Sequence, residues 1–323
     1  MATVHESVRS AAATAGLVRD CVSGVYRGGR SGARELWSTV VPGDEAAIAP
    51  SFAGADTDYY EQAAAVDTYS DARRQHIDDY HDDMVQRAAA GTLSGKQYIL
   101  AKEMRQIERF FDAEGYSMAE DAPLDGVRVL DAPCGDGCFS RALANWGADV
   151  ISADRSQEML QAAQDKEQQD AAINPLSDDA AGSIVYRQAD VADLDVTDEV
   201  DYAVMWRSAH VIGDLAPPLQ SLADAVGAQG AVLFDTFHER SGRRLYTPLL
   251  GMDSTLHSRG EVRDAAPPGA RIDRQDSGFV LPYGAFRPLP PGHRWMEGNV
   301  RWNEAMEEKR PEYASVDFWR LST

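Results

Sequence analysis

From about residue 124 the chain repeats short apolar runs, each followed by a segment of helical periodicity. "VRVLDA" (127–132) predicts a strand ending in an acid, and "CFSRALANWG" (138–147) predicts a helix closed by Gly147. "ADVISAD" (148–154) predicts a second strand, after which Ser156 caps "SQEMLQAAQDKEQQD", with Glu158 in the first turn where the helix dipole favours an acid. Strands are then predicted at "SIVYRQAD" (183–190), "DYAVMWR" (201–207) and "GAVLFDTF" (230–237), with a helix at "LQSLADAVG" between the last two. Such alternation predicts a mainly parallel sheet covered by helices on both faces. Upstream, Leu100, Met104, Ile107 and Phe111 recur at helical spacing and predict a helix over 94–114, stopped by Gly115.

The flanks are less periodic. Residues 1–50 read as an arm with one short helix near 6–22, and residues 56–91 as a strongly acidic helical stretch. Beyond Phe237, a helix is predicted in "RSGRRLYTPLLGMDSTLHSRG", strands in "GFVLPYGAF" and "YASVDFWRLS", and a loop at "RPLPPGHRW". The expected organisation is an arm (1–50), a helical extension or lid (51–122) and a main domain (123–323). The core of that domain is 124–237 and its elaboration 238–323.

The turn between the first strand and helix reads "DAPCGDG" at 131–137, and glycines there mean that a ligand approaches the backbone. A phosphate loop of the G-x-x-x-x-G-K-[ST] type is excluded, because the nearest downstream lysine is Lys166. A dinucleotide turn, G-x-G-x-x-G, is met only in part: Gly135 and Gly137 are present, but Ser140 takes the third position. Asp154 at the end of the second strand suits a ribose diol in either reading. Asp131 opposes a pyrophosphate and suits a ligand that is cationic and lacks phosphate.

With those residues in place, the sequence resembles class I S-adenosylmethionine-dependent methyltransferases of the small-molecule type. The resemblance rests on the first motif at 131–137, Asp154 in "VISAD", Asp190 in "RQADVADL" and the fourth strand "DYAVMWRSAHVI". It covers 124–237, and Pro133 stands where the family usually has glycine. It implies a Rossmann-like fold with a mainly parallel seven-stranded sheet, and S-adenosyl-L-methionine as cofactor. Carried over by position, Asp131 would lie near the methionine amino group, within a turn formed by Pro133, Cys134, Gly135 and Gly137. Asp154 would accept the ribose hydroxyls, with Arg155 beside it. Asp190 and the Val191 N–H would meet the adenine, and Trp206 and Arg207 would border the methyl end.

Groups that follow the fourth and fifth strands in sequence are the candidates to meet the acceptor, namely His210, His238 and Glu239, since ligands of open sheets bind at the strands' carboxyl ends. Tyr59, Tyr60 and Tyr69 stand where a substrate lid would be, or are core aromatics. His76, Asp79 and Asp83 share a helical face, but a solvated acidic helix accounts for them and no metal is expected. Cys134 and Cys138 read as small fillers beside the cofactor. Neither the Asn/Asp-Pro-Pro-aromatic motif of adenine-N6 enzymes nor the Pro-Cys nucleophile of cytosine-C5 enzymes follows the fourth strand. A nicotinamide-dependent oxidoreductase and a non-catalytic S-adenosylmethionine-binding protein remain the alternatives.

Charge changes the picture in one respect. The net charge is −21, from 52 acidic residues against 31 basic ones, of which only four are lysines. The acids are spread along the whole chain, which resembles the cytoplasmic proteins of salt-accumulating halophiles and disfavours a nucleic-acid partner. A small-molecule substrate is expected. No apolar run is long enough to span a bilayer, and Glu6 stands where a signal peptide would be basic, so a cytoplasmic location is expected.

Overall fold

The computed structural model describes residues 94–323 apart from 119–121, 174–181, 197–199, 242–243, 245–253, 282 and 287–288, together with Arg87, Ala90 and Thr92. The expectations for 1–50, for the acidic helix, and for Tyr59, Tyr60, Tyr69, His76, Asp79 and Asp83 lie outside the described residues.

Helix α1 (Gly95–Ala113) opens with a capping box, in which Ser94 accepts from the Gln97 N–H and the Gln97 side chain accepts from the Ser94 N–H. Gly95 is required by packing: a Cβ there would sit 1.8 Å from the Phe286 carbonyl oxygen. The apolar face read from Leu100, Met104, Ile107 and Phe111 is buried, in one hydrophobic cluster with Val129, Tyr202 and Phe318 of the sheet. Phe110 and Phe111 both meet the Tyr202 ring edge-on, at 5.7 and 5.4 Å between centroids. Helix α1 thus shares the core of the sheet.

The sheet contains β1 (Arg128–Asp131), β2 (Asp149–Asp154), β3 (Ile184–Gln188), β4 (Val200–Met205), β5 (Val226–Phe237), β6 (Arg271–Gly278) and β7 (Val316–Ser322). Their spatial order is β3-β2-β1-β4-β5-β7-β6. Strands β1 to β5 are parallel, and β7 runs antiparallel to both β5 and β6. Helices α2 (Cys138–Asn145), α3 (Gln157–Ile173) and α4 (Ala216–Ala225) make the crossovers, and α5 (Arg259–Asp264) and α6 (Met296–Lys309) belong to the C-terminal part. A second apolar cluster joins α4 and Val262 of α5 to the sheet through Leu219, Leu222, Val232 and Trp319. This is the mainly parallel, helix-covered sheet that the alternation predicted, in the seven-stranded Rossmann-like form that the resemblance implied.

Because β1 lies between β2 and β4, the chain leaves β1 toward one edge and returns to build the other. The loops after β1 and β4 therefore diverge and leave a crevice at the strands' carboxyl ends. That crevice positions the candidate site.

The C-terminal part differs from expectation at two places. "GFVLPYGAF" is not a strand: Gly278 ends β6, Phe279 adopts a left-handed φ of 60°, and Tyr283–Ala285 form a 3-10 turn. The strand is the preceding polar segment, Arg271–Gly278, which pairs with β7 alone and needs few apolar residues. Helix α6 buries only Met296 and Val300 among its large apolar residues, in the same core cluster as α1, and is also bound to α1 through polar contacts. Buried Lys102 reaches Glu304 at 2.6 Å and Glu307 at 2.5 Å, and Tyr98 donates to Glu304. In "RSGRRLYTPLLGMDSTLHSRG", residues 254–258 are not helical, and Ser258 instead caps α5 through a second capping box.

Candidate cofactor site at the strand ends

The turn after β1 is held by its neighbours on both sides. Gly135 and Gly137 have left-handed φ values of 55° and 72°, and the Cys134 N–H donates to the Ala153 carbonyl of β2 at 2.8 Å. Gly137 also faces α3, since a Cβ there would come within 2.9 Å of the Ala163 Cβ. Its glycine is explained by φ and helix packing, before any ligand is considered. Asp136 is buried and pairs with Lys166 of α3 at 2.8 Å, and Arg141 donates to the Asp136 carbonyl. The lysine nearest the turn in sequence is thus engaged by a carboxylate.

Asp131 is 1% exposed and accepts from Ser140 at 2.5 Å. Ser140 in turn accepts from Ser152 of β2. Burial pushes the Asp131 carboxyl up to about 7; the Ser140 hydrogen bond opposes this, and the charges of Asp154 and Asp136 add to it. The serine that spoils the dinucleotide pattern therefore has a role of its own, as the donor to Asp131. Its signal in the sequence was a hydroxyl where close packing alone would place glycine or alanine.

Asp154 carries the turn and helix α3 together. One oxygen accepts the Gly135 N–H and the other the Ser156 N–H, both at 2.9 Å. A carboxylate has about four acceptor positions, so two hydroxyls can still be taken. The Asp154 carbonyl accepts from Ala189, which brings the ends of β2 and β3 together beside Asp190. Asp190 is exposed and closes a local turn by accepting from Ala192, while Val191 is buried. Arg155 is exposed, and its carbonyl accepts from the Gln188 side chain. Pro133 follows a cis bond from Ala132. Cys134 and Cys138 are buried, and burial raises the Cys134 thiol far above its ordinary value, so it is not a thiolate nucleophile.

On the other side of the crevice, Trp206 stacks on Phe318 with centroids 5.3 Å apart and planes 6° from parallel. Arg207 has a left-handed φ of 54°. Its N–H donates to Asp235 of β5 at 2.6 Å, and its guanidinium Nε donates to Glu103 of α1 at 2.8 Å. Tyr283 donates to the other Glu103 oxygen at 2.7 Å. Burial pushes the Asp235 carboxyl up to about 7, with the Glu103 charge adding to the rise and Arg207 opposing it. Glu103, Tyr283 and Asp235 had no signal in the sequence, because the four groups are separated by as many as 180 positions.

His210 lies in a 3-10 turn after β4, edge-on to Phe237 at 5.2 Å, and its carbonyl accepts from Thr255. His238, just beyond β5, is buried on the β7 side: its N–H donates to Ser315 and its Nδ1 accepts from Arg240. Burial holds its imidazole below the usual value. Glu239 donates its N–H to His257.

The residues present suit a cationic ligand without phosphate. Three buried carboxylates, Asp131, Asp136 and Asp154, surround the turn. Two buried donors flank Arg207, Trp206 Nε1 and Ser208 Oγ, and neither has a partner among the described residues. A ligand with carboxylate, hydroxyl and ring-nitrogen acceptors meets both requirements. Among the described residues, no group of three metal-ligating side chains occurs and no helix is long and apolar enough to cross a membrane.

Residues 129–230 match the family model described as a methyltransferase domain. A malonyl-[acyl-carrier protein] O-methyltransferase of Pseudescherichia vulneris is 34% identical over 132 residues, 40% of this chain and 47% of that protein. A ubiquinone biosynthesis O-methyltransferase of Azorhizobium caulinodans is 26% identical over 143 residues, 44% and 52% of the two chains. This chain spans about half the length of the curated relatives it matches. Among solved structures, the magnesium protoporphyrin IX methyltransferase of Synechocystis PCC 6803 with bound S-adenosylhomocysteine aligns at a TM-score of 0.44 and 16% identity, over 69% of this chain and 85% of that one. Residues 129–230, which run from β1 into β5 and include the acid-lined turn, are thus similar in sequence to a methyltransferase domain.

Proposed function

We propose that the protein transfers a methyl group from S-adenosylmethionine to a small-molecule acceptor. The supporting observation is the cluster of buried carboxylates at a glycine turn whose nearest lysine is already paired, an environment hostile to pyrophosphate and favourable to an ammonium or sulfonium. When bound, S-adenosylmethionine supplies an electrophilic methyl on a sulfonium leaving group. The chain's own residues bind, align and exclude water. Asp154 takes the ribose hydroxyls, Asp190 and the Val191 N–H meet the adenine, and Asp131 lies behind the turn near the amino end. Trp206 and Arg207 form the wall at the methyl end.

His210 is placed on the acceptor side, with His238 as the weaker candidate, because its Nδ1 is occupied within the chain. Tyr59 and Tyr69 are proposed to close over the acceptor. Oxygen acceptors are the first class to assay, since both curated relatives named above are O-methyltransferases. We further propose that the protein works in a salt-rich cytoplasm, on the strength of its dispersed acidic charge.

Calorimetry in molar KCl tests the reading. S-adenosylhomocysteine is expected to bind, and Asp154→Ala to weaken binding by about 3 kcal/mol, roughly 100-fold, for two lost charge-assisted hydrogen bonds. Binding of NAD in place of S-adenosylhomocysteine would overturn it in favour of an oxidoreductase.

A further inference from the structure

We propose that Asp235 is a positioning residue for methyl transfer, holding the turn after β4 in its left-handed form and so setting the wall at the methyl end of the cofactor. The inference rests on the function proposed above.

An L-residue at a φ of 54° crowds its Cβ against the backbone, and such a conformation persists where the surroundings over-determine it. Arg207 is fixed at both ends. Asp235 takes its backbone N–H at 2.6 Å, and Glu103 takes its guanidinium, itself oriented by the Tyr283 hydroxyl. The Phe139 ring lies 5.2 Å beneath the guanidinium carbon. The residues on either side, Trp206 and Ser208, each carry a buried donor that has no partner among the described residues. Moving the Arg207 turn would redirect both.

Packing alone does not call for an acid at Asp235. The residues that share its face of β5, Leu233 and Phe237, are apolar and buried, and an apolar side chain would fill the position without desolvating a carboxylate. The groups that face it are Glu103 from α1, Arg207 from the turn after β4 and Tyr283 from the 3-10 turn after β6. The site thus draws on elements before and after the matched domain.

The test is calorimetric titration of the full chain with S-adenosylhomocysteine, using wild type, Asp235→Asn, Asp235→Ala and Asp235→Val, with thermal midpoints measured alongside. The Asn side-chain oxygen can still accept the Arg207 N–H, so Asp235→Asn is expected to bind within about threefold of wild type. The Ala and Val variants lack that acceptor and are expected to bind at least tenfold more weakly; Val keeps the strand position filled should Ala fail to fold. Equal affinity across all four chains would overturn the inference, as would an Asn variant that melts like wild type yet loses tenfold or more in affinity. If wild type itself does not bind S-adenosylhomocysteine, the proposed function fails and the inference with it. Binding by wild type with Asn and Ala impaired alike removes the inference only.

Discussion

Asp154 accepts the backbone N–H of Gly135 at 2.9 Å, so the acid that ends β2 also shapes the turn that follows β1. One carboxylate serves both as proposed ligand contact and as part of the scaffold. Binding data on Asp154→Ala should therefore be compared with Asp154→Asn, which keeps an acceptor for Gly135. Similar binding losses in the two would assign the effect to charge at the ribose, and a larger loss in Ala to the turn.

Ser140→Ala removes the donor to buried Asp131. The expected cost is about 2 kcal/mol, or some 4–8 °C in thermal midpoint for a domain of this size. Differential scanning calorimetry checks it, and a change below 1 °C would mean that Asp131 is satisfied without Ser140.

Asp131 also makes stability depend on pH. Its folded pKa, near 7, lies above the unfolded value of an aspartate, so its contribution is complete below about pH 4 and lost as pH rises toward 7. Asp131→Asn should therefore lose the part of the fall in stability between pH 5 and 7.5 that this carboxyl causes. His238 runs the other way, its lowered value favouring the fold as pH rises, but it is common to both chains and cancels in the difference. Parallel curves for wild type and variant in urea unfolding would refute the assignment.

Gly137→Ala and Gly115→Ala separate backbone strain from crowding. Both glycines have positive φ, but only a Cβ at Gly137 meets another group, the Ala163 Cβ at 2.9 Å. Gly115→Ala is expected to cost about 1 kcal/mol and Gly137→Ala roughly twice that or more. Equal losses would show that α3 yields to the added methyl.

Glu103→Ala leaves the Arg207 guanidinium buried without its carboxylate. Breaking a buried pair from one side is expected to cost about 3–5 kcal/mol, and Glu103→Gln less, because it can still accept from Arg207 and Tyr283. Urea midpoints of the two variants check the order.

Salt tests the acidic surface. With a net charge of −21, the thermal midpoint should climb between dilute buffer and molar KCl as screening shortens the reach of self-repulsion from about 10 Å at 0.1 M to about 3 Å at 1 M. A midpoint unchanged across that range would withdraw the link to a salt-rich cytoplasm.

The sequence by itself determined the parallel half of the sheet and the place of its glycine turn. Strands β1, β4 and β5 carry apolar runs, and β2 a run broken only by Ser152, because both of their faces are covered, and a one-dimensional pattern records that directly. Gly135, Gly137, Asp131 and Asp154 were legible for the same reason: turn geometry and strand-end position are local. Tertiary structure alone decided the rest. Strand β6 lies at the sheet edge, and α6 is anchored by Lys102 and Tyr98 as well as by the burial of Met296 and Val300, so both show a weaker apolar period than the central strands. Glu103, Arg207, Asp235 and Tyr283 come from four segments, and a buried charge has meaning only beside the partner that folding brings to it.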